Sequence, residues 1–159
     1  MLKTILIGGE QRPILFGFNA KRRLDPILRE TAKKMAEENG GQISQEQLGT
    51  LIYTDADTQI TLIKIGLEEG RRFADGKRFA TEIHETEIAD WLDERPEAIN
   101  EAIEVYTEQQ LTIQAKRIGE DPEKFIAKVM GREQTPADST TMENPNRTPL
   151  SASPSAGSE

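Results

Sequence analysis

The chain has no cysteine among its 159 residues. That absence excludes disulfide frameworks, thiolate nucleophiles and zinc–cysteine sites, and leaves the redox compartment unread. Histidine occurs once, at His84. A Ser-His-Asp site would have to be built around that residue, and no supporting motif surrounds it. Without another His or any Cys, transition-metal ligation is poor as well. Aromatic residues make up 5% and hydrophobic residues 35%, so the core is expected to be modest and mostly aliphatic. No apolar run approaches the ~20 residues of a transmembrane helix. The apolar stretch at residues 2–7 is too short for a signal-peptide core, which makes a cytoplasmic address the expectation. A formal net charge of −8 disfavours nonspecific binding to nucleic acid or to an anionic membrane.

What is present begins with a hairpin. Residues 2–7 are apolar and β-prone, Gly8, Gly9, Glu10 and Gln11 form a turn cluster, and alternation then places Ile14, Phe16 and Phe18 on one face. A two-stranded ribbon is marginal alone, so its aromatic face needs helices to lie on. Asp25 and Pro26 read as a cap followed by proline in the first turn of a helix carrying Ile27, Leu28, Thr31, Ala32 and Met35. Residues 19–24 form either a preceding turn or the first part of a helix kinked at Pro26. Ser44 and Gln47 have capping-box spacing and open a short helix with Leu48, Leu51 and Ile52.

A broad apolar stripe runs from Ile60 through Ile63 and Leu67 to Gly70. Its β-branched residues also allow a strand, but its length and the helical register of residues 68–72 favour a central helix. Asp75 and Gly76 mark a turn. Residues 85–93 read as a helix with Ile88, Trp91 and Leu92 inward, and a long helix runs from the Pro96 region to about Arg117. Asp121 and Pro122 start a last short helix, which Gly131 ends. Residues 132–159 are rich in Ser, Thr, Pro and Asn, a composition that favours a disordered tail. The expected architecture is therefore mostly α with an N-terminal β-hairpin (α+β), a small helical bundle over residues 1–131.

Catalytic and ligand motifs are weak. The glycines at 8 and 9 lack the helix start and lysine of a phosphate loop. Asp55 and Asp57 lack the glycine and closing glutamate of a calcium loop, and read with His84 and Glu85 as helix-start residues. The 28 acidic residues produce carboxylate pairs by chance, and none is marked as buried. No cofactor, metal or catalytic residue is expected. Charge layout is more informative. Nine acidic residues lie between positions 82 and 104 against Arg95 alone, whereas Lys21, Arg22, Arg23, Arg71, Arg72, Lys77 and Arg78 gather elsewhere. These are either solvated helix faces or opposite patches that steer docking or self-association. The basic clusters lack the interleaved aromatics of a nucleic-acid surface.

The glycine-turn hairpin running into Ile14, Leu15, Phe16, Gly17, Phe18, Asn19 and Ala20 resembles the start of tail assembly chaperones of long-tailed bacteriophages. The segments LIKIGLEEG (62–70) and IADWLD (88–93), then Pro96 and Glu97 opening a long helix, are similar too. The resemblance covers residues 1–20 and 60–112. Residues 21–55 depart from it, because Asp25 and Pro26 would break the uninterrupted helix expected there. The family resemblance implies a non-catalytic protein of the host cell cytoplasm that binds the tape-measure protein while the tail tube polymerises around it. Some members also have a longer frameshifted product through which tail tube protein is engaged, and homo-oligomers are compatible with the sequence. If a client lies in a groove between helices, Phe16, Phe18, Leu67, Trp91 and Tyr106 are the candidates to line it, although each also serves as an ordinary core residue. A structural tail or head-tail completion protein of the virion is the alternative, then a bacterial adaptor and, distantly, a small enzyme.

Overall fold

A computed structural model of the chain describes residues 1–131, apart from the side chains of Gln45 and Leu48. The tail expected at 132–159 and the inward role of Leu48 lie outside the described residues. The order is β1 (Lys3–Ile7), β2 (Glu10–Ile14), α1 (Phe18–Glu38), α2 (Gln45–Thr54), α3 (Ala56–Ala74), α4 (Glu85–Glu94), α5 (Ala98–Ile118) and α6 (Pro122–Val129). The fold is mostly helical with a two-stranded antiparallel hairpin at its N-terminus.

Ile7 pairs with Glu10, so the hairpin loop is two residues, Gly8 and Gly9, at φ 60° and 73°. Two consecutive positive φ angles match the right-handed twist of the strands, which is why glycine serves at both positions. Glu10 and Gln11 therefore belong to β2, not to the turn. Ile5, Ile7 and Ile14 are buried on the hairpin's inner face.

The expected alternation holds for Ile14 and Phe16, both fully buried, and fails at Phe18, which is 69% exposed. Gly17 is already the N-cap of α1, so Phe18 obeys helical rather than strand geometry. A second correction concerns Asp25 and Pro26. They do not break or start a helix; α1 runs through them, with Pro26 inside. Asp25 instead pairs with Lys21 at 3.0 Å, one turn earlier. Ala20, Leu24 and Ala32 are the buried residues of α1, with Leu28 packed against the core, while Ile27 is partly exposed. Helix propensity and packing of this face outweigh the hydrogen bond that proline cannot donate.

α3 is the centre of the bundle, contacting β2, α1, α2, α4 and α5. Ser44 and Asp55 cap α2 and α3 through the amides of Gln47 and Thr58, the former in a reciprocal capping box. Every α3 residue from Ile65 to Gly70 is buried. Gly66 and Gly70 lie one turn apart and form the seat for β2. A Cβ at Gly66 would stand 2.6 Å from Phe16 Cε1, and one at Gly70 would stand 2.6 Å from the Ile14 nitrogen. The Leu15 amide donates to the Gly66 carbonyl at 3.0 Å, so the segment after β2 bonds to the α3 backbone. α5 holds the same segment from the other side. The Phe16 amide donates to Gln109 Oε1 at 2.5 Å, Gln110 Nε2 donates to the Phe16 carbonyl at 3.0 Å, and Gln109 Nε2 donates to the Met1 carbonyl. These side chains satisfy backbone groups that have no strand partner.

Candidate functional site

The five residues expected to line a groove fall into two pairs and a separate Phe18. Phe16 and Leu67 are buried, at 0% and 2% exposure. Phe16 meets Tyr106 edge to face, with centroids 5.4 Å apart and planes at 86°. Burial, with a contribution from Asp25, raises the pKa of the Tyr106 phenol. Trp91 is half-buried beneath the hairpin turn, where a Cβ at Gly8 would lie 2.6 Å from its Cε2. The Arg12 guanidinium sits over its ring, 4.4 Å from the centroid. Leu67 and Trp91 share a recess of about 370 Å³ with Arg12 and Ile83. Phe18 lies in a different recess.

That second region was missed because its residues come from distant parts of the chain. Of the five phenylalanines, three are largely exposed: Phe18 at 69%, Phe73 at 59% and Phe79 at 75%. Phe18 and Phe73 line a recess of about 230 Å³. Phe79 lines an adjoining open cleft of about 490 Å³, and the two share Asn19, Glu69 and Arg72. The aromatics arrive from the first turn of α1, the last turn of α3 and the loop before α4. Exposed aromatics grouped around adjoining depressions are the kind of surface that marks an interaction site. The available sequence signal was Phe73 and Phe79 standing outside any amphipathic stripe, among Arg71, Arg72, Lys77 and Arg78.

The floor of the cleft is ionic. Glu68 and Glu69, consecutive on α3, are buried at 2% and 5% exposure. Arg23 bridges them from α1, bonding Glu68 Oε2 and, at 3.0 Å, Glu69 Oε1. Arg72 Nε reaches Glu69 Oε2 at 2.7 Å, and the Ile83 amide donates to Glu68 Oε1 at 2.9 Å. Burial opposes the charge on Arg23, but its hydrogen bonds to Glu68 and Glu69 outweigh that and hold its pKa above the ordinary arginine value. This cluster ties α1, α3 and the 80s loop together beneath the exposed aromatics. At the cleft wall Lys64 pairs with Glu82 at 3.3 Å and Glu85 at 3.8 Å. Arg22 and Arg78 also line the cleft, and among the described residues neither has a carboxylate partner; Arg78 lies over the Phe79 ring at 5.4 Å.

Among the described residues no group of three or more His, Cys, Asp or Glu is arranged to hold a metal ion. His84 is the N-cap of α4, and its carbonyl accepts from the amides of Glu87 and Ile88. No described helix is long and apolar enough to cross a membrane. Comparison with known protein families, curated proteins and solved structures finds no match for the chain.

Proposed function

We propose that this chain works by binding another polypeptide without catalysis, as a bacteriophage tail assembly chaperone that holds the tape-measure protein in the host cytoplasm before the tail tube closes around it. The observation that carries the binding role is the exposure of Phe18, Phe73 and Phe79 around two adjoining recesses. A firm base supports them, because α3 contacts β2, α1, α2, α4 and α5 and the Arg23 cluster braces it. Such a surface recognises an amphipathic segment through aromatic anchors, with a polar rim setting its direction. The phage assignment rests on the resemblance of residues 1–20 and 60–112 to that family.

The proposal requires a long coiled-coil reading frame just downstream, and co-expression with its product tests it. The wild-type chain is expected to copurify with that client and raise its soluble fraction. A Phe18→Ser, Phe79→Ser double variant is expected to keep its thermal midpoint and lose both effects. A client that is equally soluble alone and forms no complex refutes the chaperone assignment. Stable presence of the chain in purified particles would assign it to the virion instead.

A further inference from the structure

We infer that the occupant of the aromatic cleft is an acidic amphipathic segment of a partner protein, its apolar side chains on Phe18, Phe73 and Phe79 and its carboxylates on Arg22 and Arg78. The inference rests on the reading of this face as a docking surface and adds the charge of what docks there.

Three observations carry it. First, the cations at the cleft divide into two kinds. Arg23, Arg72 and Lys64 are each paired with a glutamate. Arg22 and Arg78 are exposed and lack a carboxylate among the described residues. They are therefore free to bond an incoming anion without breaking an existing pair. Second, the charge is local. The protein as a whole is at −8, so an acidic partner is repelled from most of its surface. The cleft is lined by five cations against three glutamates, which relieves that repulsion there and favours one orientation. Third, aromatics border the cations. Phe79 lies against Arg78, and Phe18 and Phe73 line the adjoining recess, so an occupant that covers these rings carries apolar groups beside its carboxylates. A small inorganic anion would leave those rings in water, and so would a polyacid without apolar side chains. The planar arginine fork binds a carboxylate through two parallel hydrogen bonds, which fixes the direction of the segment.

The test uses a fluorescein-labelled helical peptide with glutamate on one face and leucine and phenylalanine on the other, read by fluorescence anisotropy against the full chain. A second peptide carries lysine in place of every glutamate. The acidic peptide is expected to bind, to weaken as sodium chloride rises, and to lose at least about tenfold in affinity in an Arg22→Glu, Arg78→Glu variant. Both positions are exposed and have no carboxylate partner among the described residues, so circular dichroism should show an unchanged fold. Binding of the acidic and lysine peptides with equal affinity overturns the charge inference while leaving a docking surface in place. Binding of neither peptide overturns both. Displacement by an RNA oligonucleotide more strongly than by the acidic peptide, or by inorganic phosphate beyond its ionic strength, also overturns it.

Discussion

Replacing Gly70 with alanine should destabilise the protein, against the usual trend for glycine inside a helix. Alanine is the better helix former by about 1 kcal/mol. At Gly70, however, the added methyl would meet the backbone of the crossing strand, 2.5 Å from the Pro13 carbonyl carbon and 2.6 Å from the Ile14 nitrogen. Backbone cannot rotate aside as a side chain does. Overpacking of this kind costs roughly 3 kcal/mol, the upper end of what inserted methyl groups cost in cores. If the hairpin lifts away instead, Ile14 and Phe16 lose their seat, and each contributes about 1.5–3 kcal/mol by burial. The net loss is then about 2 kcal/mol or more. With an unfolding entropy near 2.1 cal/mol/K per residue over about 131 residues, that lowers the thermal midpoint by about 7 °C. Gly49 is the internal control. It lies inside α2 with nothing within 4 Å of its Cβ position, so Gly49→Ala should stabilise by about 0.5–1 kcal/mol. Thermal and urea unfolding of the two variants decides the matter. A Gly70→Ala protein as stable as wild type refutes the claim that β2 packs directly on a glycine seat.

Gln109→Ala should lose about 2–4 kcal/mol in urea denaturation, since it strips partners from the Phe16 amide and the Met1 carbonyl and leaves a cavity. A loss below that of the exposed Thr50→Ala would contradict the role given to Gln109. Arg23→Ala should cost on the order of 3 kcal/mol because Glu68 and Glu69 stay buried without their bridging cation, and Arg23→Lys should recover part of the loss. Equal stability of both variants would show that the bridge is replaceable. The hydrogen bond from Arg95 lowers the Glu101 pKa from its ordinary value of 4.5. Its contribution is therefore fully present above that value and is lost as pH falls through the lower folded-state pKa. Urea midpoints measured from pH 6 downward should fall less steeply in Glu101→Gln than in wild type. Parallel curves would count against the pair.

Local signals located most of the elements. Paired glycines, the Ser44 capping box, Asp55 and Asp121 as caps, and the apolar stripe through Ile63 and Leu67 all depend on neighbours within one turn. Errors arose where a local rule met a tertiary one. Asp25 and Pro26 carry a strong start signal, yet Leu24 and Ala32 pack on both sides of it and hold one helix together. Phe18 continues a strand alternation that Gly17 ends. Gln109 showed no sequence signal, because the groups it satisfies lie about a hundred residues away.

The candidate site shows the same division. Phe16, Trp91 and Tyr106 were identifiable as large residues at periodic spacing, but periodicity does not distinguish a core from a groove. Which phenylalanines face water depends on how α1, α3 and the loop before α4 are set against one another.

Taken alone, the sequence determined most of the secondary elements, the acidic balance and the lack of thiol chemistry, since these depend on residue type and short-range spacing. Only the tertiary structure decided that Gly66 and Gly70 seat the hairpin, that Glu68 and Glu69 are buried around Arg23, and that Phe18, Phe73 and Phe79 line two adjoining recesses. Each of those depends on contacts between segments far apart in the chain, and the physical reason is that packing selects which of several locally acceptable faces is covered.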